Sequence, residues 1–176
     1  NMRTRIGLNT GTAVVGNMGS VRRFNYTMMG DSVNLGARCE SGAKSYGVYT
    51  MITDRTKTAA VSAKDDVIYR YLDQIVVKGK TKPVKVHEVI GFKHETSPET
   101  LDCLELYEQG LNAYLKSRWS EAILKFEKAS ALELFQPDKK TGVVTNPSRV
   151  MIDRCRIYQV SPPPPSWDGV FQMTSK

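Results

Sequence analysis

Apolar and polar positions along this chain follow two different periods, and the changes of period outline its elements. Short alternating, β-rich runs at 3–8, 12–18 and 24–29 read as strands, the first two joined by a turn at Gly11. From about residue 31 to 45 the pattern becomes helical, with Asp31 or Ser32 available as the cap and Gly47 as the terminator. Residues 48–52 form a short strand, and Thr53 with Asp54 can start a helix through about Ala60. Residues 67–77 and 83–90 then read as two strands paired across a Lys-Gly-Lys turn. Strands and helices mixed in this way make an α+β or α/β layer structure.

The pattern changes near 93–99. Ser97, Pro98 and Glu99 form a helix start, with Ser as cap and Pro at the first helical position. Leu101, Leu104, Leu111 and Leu115 continue at helical spacing, and a second helix from Ser120 presents Ala122, Ile123, Phe126 and Ala129. With Gly110 and Trp119, this hairpin resembles one tetratricopeptide unit, although Tyr114 stands one residue out of place. A single unit cannot bury its own face, so the hairpin is expected to pack on a neighbouring element or to serve as a dimer contact. Residues 136–149 read as a polar loop, after which Asn146 and Pro147 cap a short helix carrying Val150, Met151 and Cys155. The four prolines at 162–165 must be extended and act as a stiff spacer, and Trp167 is expected to pack back on the helices. Three segments result: 1–93, 94–135 as the helical hairpin, and 136–176 as loop, short helix and irregular Pro-rich tail.

Composition narrows the function classes. A chain of 176 residues, 40% of them hydrophobic, suits a globular domain with an appendage. It contains no run of about 18 apolar residues. The net charge of +7 favours acidic ligands, but no nucleic-acid-binding signature accompanies it. The three cysteines, Cys39, Cys103 and Cys155, are odd in number and far apart, which reads as reduced thiols in the cytoplasm rather than as a zinc site. Gly79, Lys80 and Thr81 look like the end of a P-loop, yet Gln74 stands where its first Gly is required.

The most informative stretch is 24–38. A strand ends at Gly30 and a helix begins at once, placing Asn34 and Arg38 one turn apart on a single face. An amide beside a guanidinium can hold a sugar and a phosphate in fixed relation, because the planar Arg fork bonds phosphate oxygens in pairs and stays charged. On spacing alone, a solvated helix face with a chance Asn and Arg is the favoured explanation of the pair.

The neighbouring residues add to this reading. The stretch 5–11 (Arg-Ile-Gly-Leu-Asn-Thr-Gly), the stretch 14–20 (Val-Val-Gly-Asn-Met-Gly-Ser), and 26–34 (Tyr-Thr-Met-Met-Gly-Asp-Ser-Val-Asn) with Arg38 closely resemble the class III nucleotidyl cyclases. The resemblance continues through Tyr46 and Gly47 to 77–80 (Val-Lys-Gly-Lys), Pro83 and Val84, covering about residues 3–92 in order. It implies an α+β fold with the cyclase-type, ferredoxin-like mixed sheet. It also implies that Asn34 and Arg38 bind the ribose and triphosphate, with Arg38 stabilising charge that develops at the α-phosphorus. Thr27 takes the position that helps choose the base, where Thr resembles the adenylyl type and Cys the guanylyl type. Lys78, with Lys80 nearby, takes the place of a phosphate contact.

The family's two metal-binding aspartates belong to motifs upstream of the matched segment, and Asp31 sits in a different motif. The expectation is therefore the C-terminal half of an adenylate cyclase catalytic domain that, when complete, converts ATP to cyclic AMP and pyrophosphate. Its Mg²⁺ or Mn²⁺ ligands lie outside this chain, and its sites are shared in a head-to-tail homodimer. Nothing in these residues shows a membrane attachment or sensor of the parent protein. Two alternatives stand beside this reading: a non-catalytic nucleotide-binding regulatory module, and an interaction protein built on the tetratricopeptide-like hairpin.

Overall fold

The computed structural model describes residues 4–20, 22–63, 66–76, 82–138 and 143–172. Among these residues seven strands and five α-helices follow one another: β1 (Ile6–Leu8), β2 (Val14–Ser20), β3 (Arg23–Met29), α1 (Asp31–Tyr46), β4 (Thr50–Thr53), α2 (Asp54–Ser62), β5 (Val67–Val76), β6 (Val84–Phe92), α3 (Pro98–Leu115), α4 (Trp119–Ala131), α5 (Pro147–Val160) and β7 (Val170–Gln172). Five strands form one mixed sheet in the order β1-β4-β6-β5-β7, with β1/β4 and β5/β7 parallel and the other pairs antiparallel. β2 and β3 form a separate antiparallel hairpin. The α+β expectation holds. No helix among the described residues is long and apolar enough to cross a membrane.

The strand expected at 3–8 does not pair with the one expected at 12–18. β1 lies beside β4 in the main sheet, whereas β2 leaves it to pair with β3. Gly11 lies against the first turn of α1, where a Cβ would fall 2.1 Å from the Ser32 Oγ. The start of α1 also differs from expectation. Neither Asp31 nor Ser32 caps it; Gly30 occupies the cap at φ 140°, a conformation open to glycine, and its carbonyl accepts from the amides of Val33 and Asn34, each at 3.1 Å. Gly47 ends the helix in the left-handed conformation, as its place in the sequence predicts.

Local cap chemistry explains the other starts. Thr53 Oγ1 accepts from the Thr56 amide, Ser97 Oγ from that of Thr100, and Asn146 Oδ1 from that of Arg149. α4 begins one residue before the expected Ser120, at Trp119, without a side-chain cap.

Two apolar cores result. One lies under α1, where Cys39, Ala43 and Tyr46 meet Met51, Leu72, Ile75 and Val86 of the sheet. The other joins α3, α4 and α5 through Tyr107, Tyr114, Phe126, Met151 and Cys155. Gly110 permits the close α3–α4 crossing, since a Cβ there would fall 2.8 Å from the Phe126 ring. The face that one helical hairpin could not bury alone is covered by α5. Trp167 packs on Tyr114, Trp119 and Tyr158, and β7 then returns the chain to the free edge of β5.

Candidate functional site

α1 carries two of the expected site residues. Its inward side, Cys39, Gly42, Ala43 and Tyr46, follows the spacing that buries one stripe of a helix. Asn34 and Arg38 lie on the flank of that stripe, Asn34 exposed and Arg38 half-buried. The helix is held by two contacts from β1 and the loop after it, one along its middle and one at its first turn. Gly7 allows the helix backbone to rest directly on the strand, because a Cβ there would be 2.2 Å from the Gly36 carbonyl oxygen and 2.2 Å from the Glu40 amide nitrogen. Asn9 then donates from Nδ2 to the Ser32 carbonyl at 2.9 Å and accepts at Oδ1 from Thr53 Oγ1 at 2.8 Å. One side chain thus ties the first turn of α1 to the junction of β4 and α2.

Thr27 sits on β3, the strand that runs through Gly30 straight into α1, and its side chain is exposed. Its cross-strand partner is Gly16, and a Cβ on Gly16 would meet no atom within 4 Å. Open space therefore lies beside the Thr27 hydroxyl. The structure joins Thr27, Asn34 and Arg38 through one continuous strand–helix unit. Lys78 and Lys80 lie outside the described residues; β5 ends at Val76, immediately before their segment.

The electrostatics of the interior concern other residues. Burial pushes the thiol of Cys39 up to about 11 and those of Cys103 and Cys155 up to about 12, so none is a nucleophile near neutral pH. Two buried ionic groups cross between the sheet and the C-terminal helices. In one, Arg70 bonds Glu88 on β6 and, at 2.8 and 2.9 Å, both oxygens of Glu133, which also accepts from the Ser148 amide and hydroxyl. In the other, Asp73 of β5 accepts from Tyr46 at the end of α1 and from Arg154 of α5. Reading the sequence did not single out Asp73 or Arg154. β5 also carries Arg70, and α5 carries Arg149, Asp153 and Arg156, so charge alone does not mark them.

A cavity of about 620 Å³ opens between the β5–β6 face and α3, lined in part by Lys57, Tyr71, Lys85, Glu105 and Asn112. None of Thr27, Asn34 and Arg38 lines it. Thr27 and Asn34 are exposed and Arg38 is half-buried.

The family model described as "Adenylate and Guanylate cyclase catalytic domain" matches residues 1–91. The chain belongs to this family. Among curated relatives, the terminal-differentiation-specific adenylate cyclase of Dictyostelium discoideum is 31% identical over 155 residues, which are 88% of this chain and 7% of that protein. Adenylate cyclase 1 of Rhizobium meliloti is 39% identical over 89 residues, 51% of this chain and 13% of that protein. The crystal structure of the adenylyl cyclase CyaB from P. aeruginosa matches at 33% identity and a TM-score of 0.44, over 53% of this chain and 45% of that one. The chain thus spans only a small part of the curated cyclases it matches. The similarity to the Dictyostelium cyclase extends past the family segment into the helices beyond β6, since 155 residues exceed the family match.

Among the described residues no group of three His, Cys, Asp or Glu side chains comes together as a metal site.

Proposed function

We propose that this chain supplies one half of an adenylate cyclase active site, the half that holds the nucleotide and stabilises charge during the reaction. The observation that carries this reading is the strand–helix unit that bears Thr27, Asn34 and Arg38 on one continuous piece of backbone. In the proposed reaction the ribose 3′-oxygen of ATP attacks the α-phosphorus, the bond to the β-phosphate oxygen breaks, and pyrophosphate leaves. The 3′-hydroxyl proton is lost to solvent or to a base outside these residues.

Asn34 orients the ribose, so that the 3′-oxygen stays in line with the bond that breaks. Arg38 donates to oxygens on the α-phosphorus as their charge grows, which stabilises the transition state more than the bound substrate. Thr27 presents a hydroxyl to the adenine edge, and the open space opposite Gly16 leaves room for the ring. Lys78, with Lys80 beside it in sequence, neutralises the β- and γ-phosphates. Carboxylates outside the described residues hold Mg²⁺ or Mn²⁺, and a head-to-tail homodimer is the arrangement that brings the two halves together. The product, cyclic AMP, places the protein in signal transduction.

The test is reconstitution. The chain is assayed with ATP and Mn²⁺, alone and mixed with the separately produced metal-binding half of a related adenylate cyclase. No turnover alone and turnover in the mixture, lost on Arg38→Ala, is the expected result. Turnover by the chain alone, or by a mixture indifferent to Arg38, would overturn the assignment.

A further inference from the structure

Three elements meet at one buried carboxylate. Tyr46 is the last residue of α1, Asp73 lies on β5 three positions before its end, and Arg154 is on α5. The Tyr46 hydroxyl donates to Asp73 Oδ2 and accepts from Arg154 Nη2 at 2.9 Å, while Arg154 Nη1 donates to the same Asp73 oxygen. The remaining Asp73 oxygen accepts from the Gln74 amide at 2.8 Å. Tyr46, Asp73 and Arg154 are 1%, 3% and 6% exposed. A break in the β5–β6 register between Tyr71 and Asp73 allows both Leu72 and Asp73 to be buried, as a bulge does when it re-aims a side chain. On its outer side the Arg154 guanidinium is covered by the Phe171 ring of β7, at 3.6 Å.

The placement of these three residues is specific. α1 bears Asn34 and Arg38, and β5 leads directly to the segment of Lys78 and Lys80. Arg154 comes from the helices beyond the family segment. We propose that Arg154, Asp73 and Tyr46 form a positioning triad, through which the C-terminal helices fix the angle of α1 against β5 and so set Asn34 and Arg38 relative to the sheet. This rests on the cyclase reading above. α1 is held at its first turn by Asn9 and along its middle by Gly7, which lies against Gly36, Cys39 and Glu40, and Tyr46 ties its last turn to α5. A displacement of about 1 Å at a reacting group can cost about a hundredfold in rate. A buried charge pair whose carboxylate already accepts three hydrogen bonds also has few alternative arrangements. The Arg70–Glu88–Glu133 group is equally buried and crosses the same boundary, but it does not touch α1. It is a natural control.

Tyr46→Phe removes the bridge to α1 and leaves the Asp73–Arg154 pair in place. In the full-length protein it is expected to lower kcat about tenfold or more with little change in KM for ATP, together with an earlier melt from the Arg154 donor it leaves unpartnered. Glu133→Gln is expected to melt earlier as well, while the folded protein keeps its kcat. Arg154→Lys, which keeps the charge but not the fork, should fall between wild type and Arg154→Met in kcat. Normal kcat in Tyr46→Phe, or an equal loss in Glu133→Gln, would overturn the triad. If Arg38→Ala abolishes turnover while Tyr46→Phe does not, only the triad fails. If Arg38→Ala turns over normally, the cyclase reading fails and takes the triad with it.

Discussion

The Gly36 carbonyl oxygen of α1 lies 2.2 Å from the point where a Cβ on Gly7 would stand. No side chain fits there without moving the helix. This contact seats the front half of α1, and with it Asn34 and Arg38, on β1.

Gly7→Ala is accordingly expected to be strongly destabilising. The obstructing atoms belong to the backbone and cannot rotate away, so a cost of about 3 kcal/mol or more is expected, at the upper end for overpacking. Urea unfolding measures it. Wild-type stability in this variant would show that α1 does not rest on β1.

Arg38→Ala and Asn34→Ala should act on chemistry rather than on folding, because neither side chain is in the apolar stripe of α1. In the complete enzyme Arg38→Ala is expected to lower kcat by about a hundredfold, with a smaller effect on KM. Asn34→Ala should also lower kcat, whereas Lys78→Ala should weaken binding of the triphosphate. Steady-state kinetics together with thermal melting separate these outcomes. An early-melting Arg38→Ala with normal turnover would make Arg38 a structural residue.

The base should be adenine. ATP is expected to be preferred over GTP in kcat/KM, and Thr27→Cys alone should erode that preference without inverting it, since one neutral hydrogen bond supplies only about 1 kcal/mol. A wild-type preference for GTP would overturn the role of Thr27.

His87 should make the fold acid-sensitive. It is 3% exposed, its Nε2 lies 2.8 Å from Asp54 Oδ1, and its Nδ1 has no partner. Burial holds the imidazole below its ordinary value, against the pull of the Asp54 hydrogen bond, and the nearby Lys57 and Lys85 act with burial. The unfolded chain therefore takes up this proton at a higher pH than the folded protein does. The stabilising contribution is present above the unfolded value and is lost as pH falls through the folded one. Between about pH 7 and about pH 5, the melting temperature of the wild type should fall more than that of His87→Gln, at matched ionic strength. Equal slopes would place the sensitivity elsewhere.

Much of this protein was legible in the order of its residues, and the reason is distance along the chain. Thr53, Ser97 and Asn146 cap helices by reaching an amide three residues on, so their roles follow from a few neighbouring residues. Asn34 and Arg38 share a face because a helix repeats every 3.6 residues. The motif order from Arg5 to Val84 was sufficient to recognise the cyclase family. The sequence points to Asp31 or Ser32 as the cap of α1, and the structure has Gly30 there, because a glycine at φ 140° carries no side-chain signal. Tertiary structure alone decided that β1 pairs with β4 instead of β2, that β7 returns to β5, and that Tyr46, Asp73 and Arg154 share one buried carboxylate. Those choices join residues as far apart as 46 and 154, and no periodicity or cap rule reaches across that span. They are settled by which buried charges and strand edges find partners when the layers close, since each left unpaired would carry its desolvation cost into the folded state.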